Sequence, residues 1–108
     1  IKNIIFVVVI FATTSAFSHS ALMSCFDNQD NTITCKAGFS DGSGASGINF
    51  KVLQNDKVIL ESKINENSEI TFDKPSGEFE AILDGGDGHK VVVKSKGINQ
   101  YFRERKWI

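Results

Sequence analysis

Histidine, cysteine and proline are all scarce in this chain: two His, two Cys and one Pro among 108 residues. With so few histidines there is no His-Glu-x-x-His helix, and no Gly-x-Ser-x-Gly elbow occurs, so neither a zinc protease nor a serine hydrolase is written here. The cysteines have no second pair and no adjacent histidine, as a structural zinc site would need. The glycine-rich stretch Asp41-Gly42-Ser43-Gly44-Ala45-Ser46-Gly47 is followed by no Lys-Ser/Thr pair and opens no helix, which excludes a phosphate-binding loop. A formal net charge of −1 excludes a polyanion binder, and hence a nucleic-acid partner, on charge alone. Glu78 and Glu80 share one side of a strand pattern, but without a cleft they read as a solvated face, not a glycosidase pair. The residues therefore describe a non-enzyme with no evident small-molecule substrate.

No apolar run is long enough to cross a bilayer as a helix. The longest, residues 4–12, follows Lys2 and precedes the small and polar residues 13–20. A short basic region, a short apolar core and small residues near a cut describe a secretory signal peptide. Three cuts fit the small-x-small rule, after Ala16, Ser18 or Ser20. The one after Ser18 is preferred; it makes residues 1–18 the leader and His19 the mature N-terminus. A secreted or periplasmic location follows, and with it an oxidising compartment. Leu22-Met23-Ser24-Cys25 offers a minor alternative, a lipobox with Cys25 lipidated, but polar residues separate it from the apolar core of the leader.

What is present beyond residue 20 is alternation with period two. Residues 21–27 and 32–40 read as strands joined by the turn Asn28-Gln29-Asp30-Asn31. A hairpin centred on Asp30 sets Cys25 across from Cys35, Met23 across from Ala37 and Asp27 across from Ile33, so a Cys25–Cys35 disulfide is expected. Further strands are expected around Phe50 and Val52, over residues 58–63 and 69–73, around Phe79–Leu83, and over residues 89–96. Pro75 and Gly77 turn the chain between the fifth and sixth. About seven strands with regular turns and no convincing helix predict an all-β sandwich over residues 19–96. Its expected core is Phe50, Val52, Val58, Leu60, Ile70, Phe72, Phe79, Ala81, Leu83, Val91 and Val93. Residues 97–108 form a basic, aromatic tail without strand period, and are expected to be the start of a segment that the sequence cuts short.

Gly47-Ile48-Asn49-Phe50-Lys51-Val52, the run from Asn55 to Phe72 and Pro75-Ser76-Gly77-Glu78-Phe79-Glu80-Ala81-Ile82-Leu83 resemble the carboxypeptidase regulatory-like and transthyretin-like sandwiches. Ser68 stands where that pattern has Gly, and Phe79 where it has Tyr. The resemblance implies an immunoglobulin-like (transthyretin-like) fold and leaves function open. A narrower resemblance, to the small periplasmic subunits of nickel and cobalt energy-coupling-factor importers, is carried by three segments. They are Ser18-His19, Ala37-Gly38-Phe39-Ser40-Asp41-Gly42 and Asp84-Gly85-Gly86-Asp87-Gly88-His89. It implies an accessory domain that binds or passes Ni2+ or Co2+ to membrane transporter subunits. In such a site the α-amine and ring of His19 would chelate one ion, His89 would add a second imidazole, and Asp87 or Asp84 an oxygen. Nitrogen-rich sets of this kind also accept Cu2+ or Zn2+. The competing expectation is a structural or protein-interaction module of a secreted or surface protein, with His89 serving only its turn.

Overall fold

The computed structural model describes residues 20–86 and 89–98, and the expectations for the leader, the cut before His19 and the basic tail beyond Ile98 fall outside that range. The described chain is seven strands: β1 (Ala21–Asp27), β2 (Thr32–Phe39), β3 (Asn49–Gln54), β4 (Lys57–Lys63), β5 (Glu69–Asp73), β6 (Glu80–Asp84) and β7 (Lys90–Lys94). A single 3₁₀ turn, Ser95–Gly97, ends what was expected to be strand through residue 96. Two antiparallel sheets face each other, one ordered β1-β2-β5 and the other β4-β3-β6-β7. This is the strand order of the immunoglobulin-type Greek key, with β1-β2-β5 as A-B-E and β3-β6-β7 as C-F-G. No described helix is long and apolar enough to cross a membrane.

Turn chemistry fixes the hairpins. Asn55 and Asp56 both take positive φ between the paired residues Gln54 and Lys57, the two-residue loop whose twist matches antiparallel strands. Gln29 and Asn31 do the same between β1 and β2, where Asp27 and Asp30 carboxylates accept the backbone N–H groups of Gln29 and Thr32. The resulting register sets Cys25 against Cys35, Met23 against Ala37 and Asp27 against Ile33, as the hairpin centred on Asp30 requires. The Cys25–Cys35 disulfide forms and lies in the core. Cys25 is thus bonded within a strand, which removes it as a lipidation site in this form.

Between the sheets, Phe50 of β3 packs on Phe72 of β5 at 5.5 Å between ring centroids, and Phe79 meets Phe72 edge-on at 6.2 Å. Phe50, Val52, Ile70, Phe72, Phe79, Ala81 and Leu83 are buried, and Leu60, Val91 and Val93 pack against them at the rim. Val58 departs from expectation: it is 51% exposed. The cause is a bulge. Val52 pairs with Leu60 but Leu53 pairs with Val58, which leaves Ile59 as an extra residue on β4. One inserted residue reverses the alternation, so Val58 falls opposite the outward Leu53 instead of continuing the inward row of Leu60. Two loop residues supply core in its place. Ala45 and Ile64 are buried because their segments pair through backbone bonds, Ile48 N to Ala45 O, Gly47 N to Ile64 O and Ile64 N to Ile48 O. The 41–47 loop thereby serves as the crossing between sheets.

Asp27 lies on the inward row of β1 and is only 7% exposed. It is neutralised there: Lys74 Nζ donates to its Oδ2 at 2.8 Å and Gln29 N–H to its Oδ1 at 2.7 Å. These bonds, the lysine's first, hold its carboxyl below the ordinary carboxylate pKa.

Two outcomes follow for stability. Phe50→Ala, at a fully buried central position, should lose about 3–5 kcal/mol, whereas Val58→Ala should stay within about 0.5 kcal/mol; denaturant midpoints in the reverse order would mean the bulge is misplaced. Asp27 has a folded pKa below its unfolded one, so its contribution is complete above the unfolded value of ~3.9 and is lost as pH falls through the lower folded value. Asp27→Asn should therefore cost about 1 kcal/mol at neutral pH, because Lys74 remains partly solvated, with the gap from wild type closing as pH falls through the lowered folded pKa. A gap that widens with acid would refute this sign.

Candidate functional site

The registers sort the loops to two ends of the sandwich. One end carries the 28–31 and 55–56 turns, Lys74 and the 76–79 segment. The other carries the chain entry at Ser20, the end of β2, the start of β3 and the 85–89 turn that bears His89. The first end is crossed by polar bonds, including Asp27–Lys74 and the Gln54 side chain donating to Ser76 O and Glu78 O. The candidate residues are at the second end.

His89 is positioned by its turn. Its N–H donates to Gly86 O at 2.9 Å and its carbonyl accepts from Gly85 N–H at 3.0 Å. Gly86 sits at φ +101°, open to glycine and strained for other residues. A Cβ on Gly85 would come within 3.2 Å of His89 Cβ and 3.3 Å of its carbonyl oxygen, so the close approach that brings the histidine back over the sheet needs glycine there too. His89 precedes the outward Lys90, and its ring turns inward to meet Phe39 of the opposite sheet edge-to-face, at 5.8 Å and 81°.

Asp84 points the other way. It pairs with Lys90 on the outer row of the sheet, next to Asn49, and its Oδ1 accepts the Gly86 N–H at 3.2 Å. Its carboxylate caps the turn and lies on the opposite face from the His89 ring. His19 and Asp87 lie outside the described residues, and among those described no three His, Cys, Asp or Glu side chains gather as a metal set. Of the expected ligands, the structure thus gives the surroundings of His89 and the outward turn of Asp84.

Sequence reasoning passed over Phe39 and Ser40 as site residues. Phe39 closes the β ladder opposite Ala21, and Ser40 bonds the residue that follows His19: Ser40 N–H donates to Ser20 O at 2.8 Å, and Ser20 N–H donates to Ser40 Oγ at 2.8 Å. The signal was available, since the inward row Ile33, Cys35, Ala37 ends on Phe39 and the hairpin register sets that position against residue 21. β1 also lies alongside β7 across the sandwich, which brings the first and last strands together. No protein family, curated protein or solved structure matches this chain.

Gly85→Ala tests the turn. Reduced chain entropy would favour alanine by about 0.4–1 kcal/mol, but the atoms met belong to the His89 backbone and Cβ and cannot swing aside. A net loss of about 1 kcal/mol is expected, with a shift of the His89 ring resonances away from Phe39; a stabilised variant with unmoved resonances would show that the turn has slack.

Proposed function

We propose that this is an extracytoplasmic metal-handling domain that binds a divalent ion, Ni2+ or Co2+ by resemblance, as cargo for membrane transporter subunits. One observation carries the reading: the chain entry at Ser20 and the ring of His89, 69 residues apart in sequence, meet at adjacent residues of one strand end, Ser40 and Phe39. His19 is one peptide unit from Ser20, and consecutive Cα atoms are about 3.8 Å apart. A mature N-terminus at His19 would therefore bring an α-amine and an imidazole to the end of the sandwich that bears His89. An α-amine with a pKa of about 7.7–8.0 ligates at neutral pH far more readily than a lysine. With Asp84 turned to the outer face, an oxygen donor would have to come from Asp87 or solvent. The buried disulfide supports an oxidising compartment.

Calorimetric titration of the secreted protein with Ni2+, Co2+, Cu2+ and Zn2+, its N-terminus established by mass, tests the reading. His89→Ala should weaken binding by at least ~100-fold, beyond the 10–100-fold typical of residues that only orient a ligand. Affinity should fall with acid, because every ligating nitrogen must be deprotonated. No binding by the wild type, equal affinity in both proteins, or a mature start at Ala21 would sink the shared site and leave the protein-interaction module.

A further inference from the structure

We propose that the outer edge of β5 takes one further strand, an extended peptide from a partner protein. The peptide sets a lysine or arginine beside Asp73 and an apolar side chain in the groove beneath β5. This edge lies apart from His89, and the inference does not depend on the metal-handling reading.

The ladder of β5 on β2 decides which main-chain groups of β5 are paired. Ser68 O accepts from Ala37 N–H, and Lys74 N–H donates to Asn31 O. Both bonds keep the register that pairs Ile70 with Cys35 and Phe72 with Ile33. Hydrogen-bonded and non-hydrogen-bonded residues alternate along an antiparallel pair. Ser68, Ile70, Phe72 and Lys74 therefore turn their main-chain groups towards β2, and Glu69, Thr71 and Asp73 turn theirs outward. Asn65 closes the first of these: its N–H donates to Glu69 O, and its side-chain oxygen accepts the Glu69 N–H. Pro75, with no N–H, bounds the other end. Thr71 and Asp73 remain, and no described residue bonds to their outward main chain.

In the constant-type immunoglobulin order, an A-B-E sheet continues to a D strand at this edge. Here β4 has joined the other sheet, so the three-stranded sheet ends one strand short. Beneath the edge, a groove between β4 and β5 is lined by Val52, Ile59, Leu60, Phe72 and Pro75. The bulged Ile59 is 48% exposed. A strand laid on β5 would point alternate side chains into this groove and the others onto the outer face.

Charge selects the occupant. On the outer row Glu69 already faces Lys36, whereas Asp73 faces Thr32, and the adjacent Lys74 is committed to Asp27. A cation beside Asp73 completes the row. A second copy of this chain fits less well. Its β5 offers Glu69, Thr71 and Asp73, with no cation among them. Its β7 offers Lys90 and Lys94, but Val91 and Val93 pack on its own core and cannot enter the groove.

The test uses the full chain and a synthetic peptide of about seven residues in which lysine alternates with valine. The peptide should slow exchange of the Thr71 and Asp73 amide protons ~10-fold and leave the amides of β4 and β7 unchanged. N-methylation of alternate peptide nitrogens, which removes its main-chain donors, should abolish that protection. So should Ile59→Asp, at an exposed position where the melting temperature should hold. Asp73→Lys, also exposed, should reverse the preference, so that a glutamate–valine peptide binds ~5-fold more tightly than the lysine–valine one. No protection at ~1 mM peptide, or equal protection of the wild type by the glutamate–valine peptide, overturns the proposal. Protection that grows with protein concentration alone also overturns it, and gives the edge to a second copy.

Discussion

The rung at which Cys25 faces Cys35 governs the rest of this molecule. Side chains alternate along a strand, so a one-residue slip of β1 on β2 would expose Met23 and Cys25 and drive Ser24 and Phe26 inward. A covalent bond across that rung forbids the slip. It also ties an edge strand to the centre of its sheet in a domain too small to rely on apolar burial alone. The closed loop is short, with a sequence separation of 10, so the stabilisation belongs at the lower end of about 2–4 kcal/mol. Two consequences propagate in opposite directions along β1. Towards its end the register buries Asp27, which Lys74 must then neutralise. Towards its start the register delivers Ser20 to Ser40.

The sequence carries this register openly, because turn residues and the spacing of two cysteines depend only on local chemistry. It carries the inward rows of β3, β5 and β6 for the same reason. Val58 escapes because a bulge at Ile59 is a two-strand event: nothing in Lys57–Lys63 alone shows that its partner will skip a residue. Ala45 and Ile64 escape because loops conceal burial that arises only when two distant segments pair. The candidate site divides likewise. The glycines that deliver His89 are visible in sequence. Alternation from the inward Leu83 could have turned Asp84 outward, away from the His89 ring, whereas the meeting of Phe39 with His89 joins two sheets and needs the fold.

Ser68 shows how a side chain can offset a backbone conformation that favours glycine. It occupies positive φ, where glycine is unstrained. In return its hydroxyl accepts the Ala45 N–H at 3.1 Å, holding the buried end of the crossing loop, and its carbonyl accepts the Ala37 N–H. The position that a Cβ on Gly44 would take is filled by that same Ser68 hydroxyl, so the two residues share one small space. A glycine at 68 would relieve the backbone and lose the bond. The serine is thus part of the wall behind Ala45, at the same end of the sandwich as His89.

The outer face of the four-stranded sheet carries charge pairs and, beside them, the exposed apolar side chains Val58 and Val92. On the four-stranded sheet, charges face each other across strands, Lys51 with Glu61, Glu80 with Lys94 and Asp84 with Lys90, an arrangement that solvates a face. The β4 edge is bulged and bounded by Lys57 and Lys63, and β7 is bounded by Lys90 and Lys94, devices that discourage strand addition. At the end holding Asp27, that carboxylate is committed to Lys74 and the Gln54 amide to the Ser76 and Glu78 carbonyls. At the His89 end the hydrogen bonds of the described residues run through backbone and small side chains, and the imidazole meets the Phe39 ring. The sandwich thus pairs a buried carboxylate with a lysine at one end and, at the other, sets a histidine, an aromatic ring and a bonded chain entry on neighbouring loops of a firm scaffold.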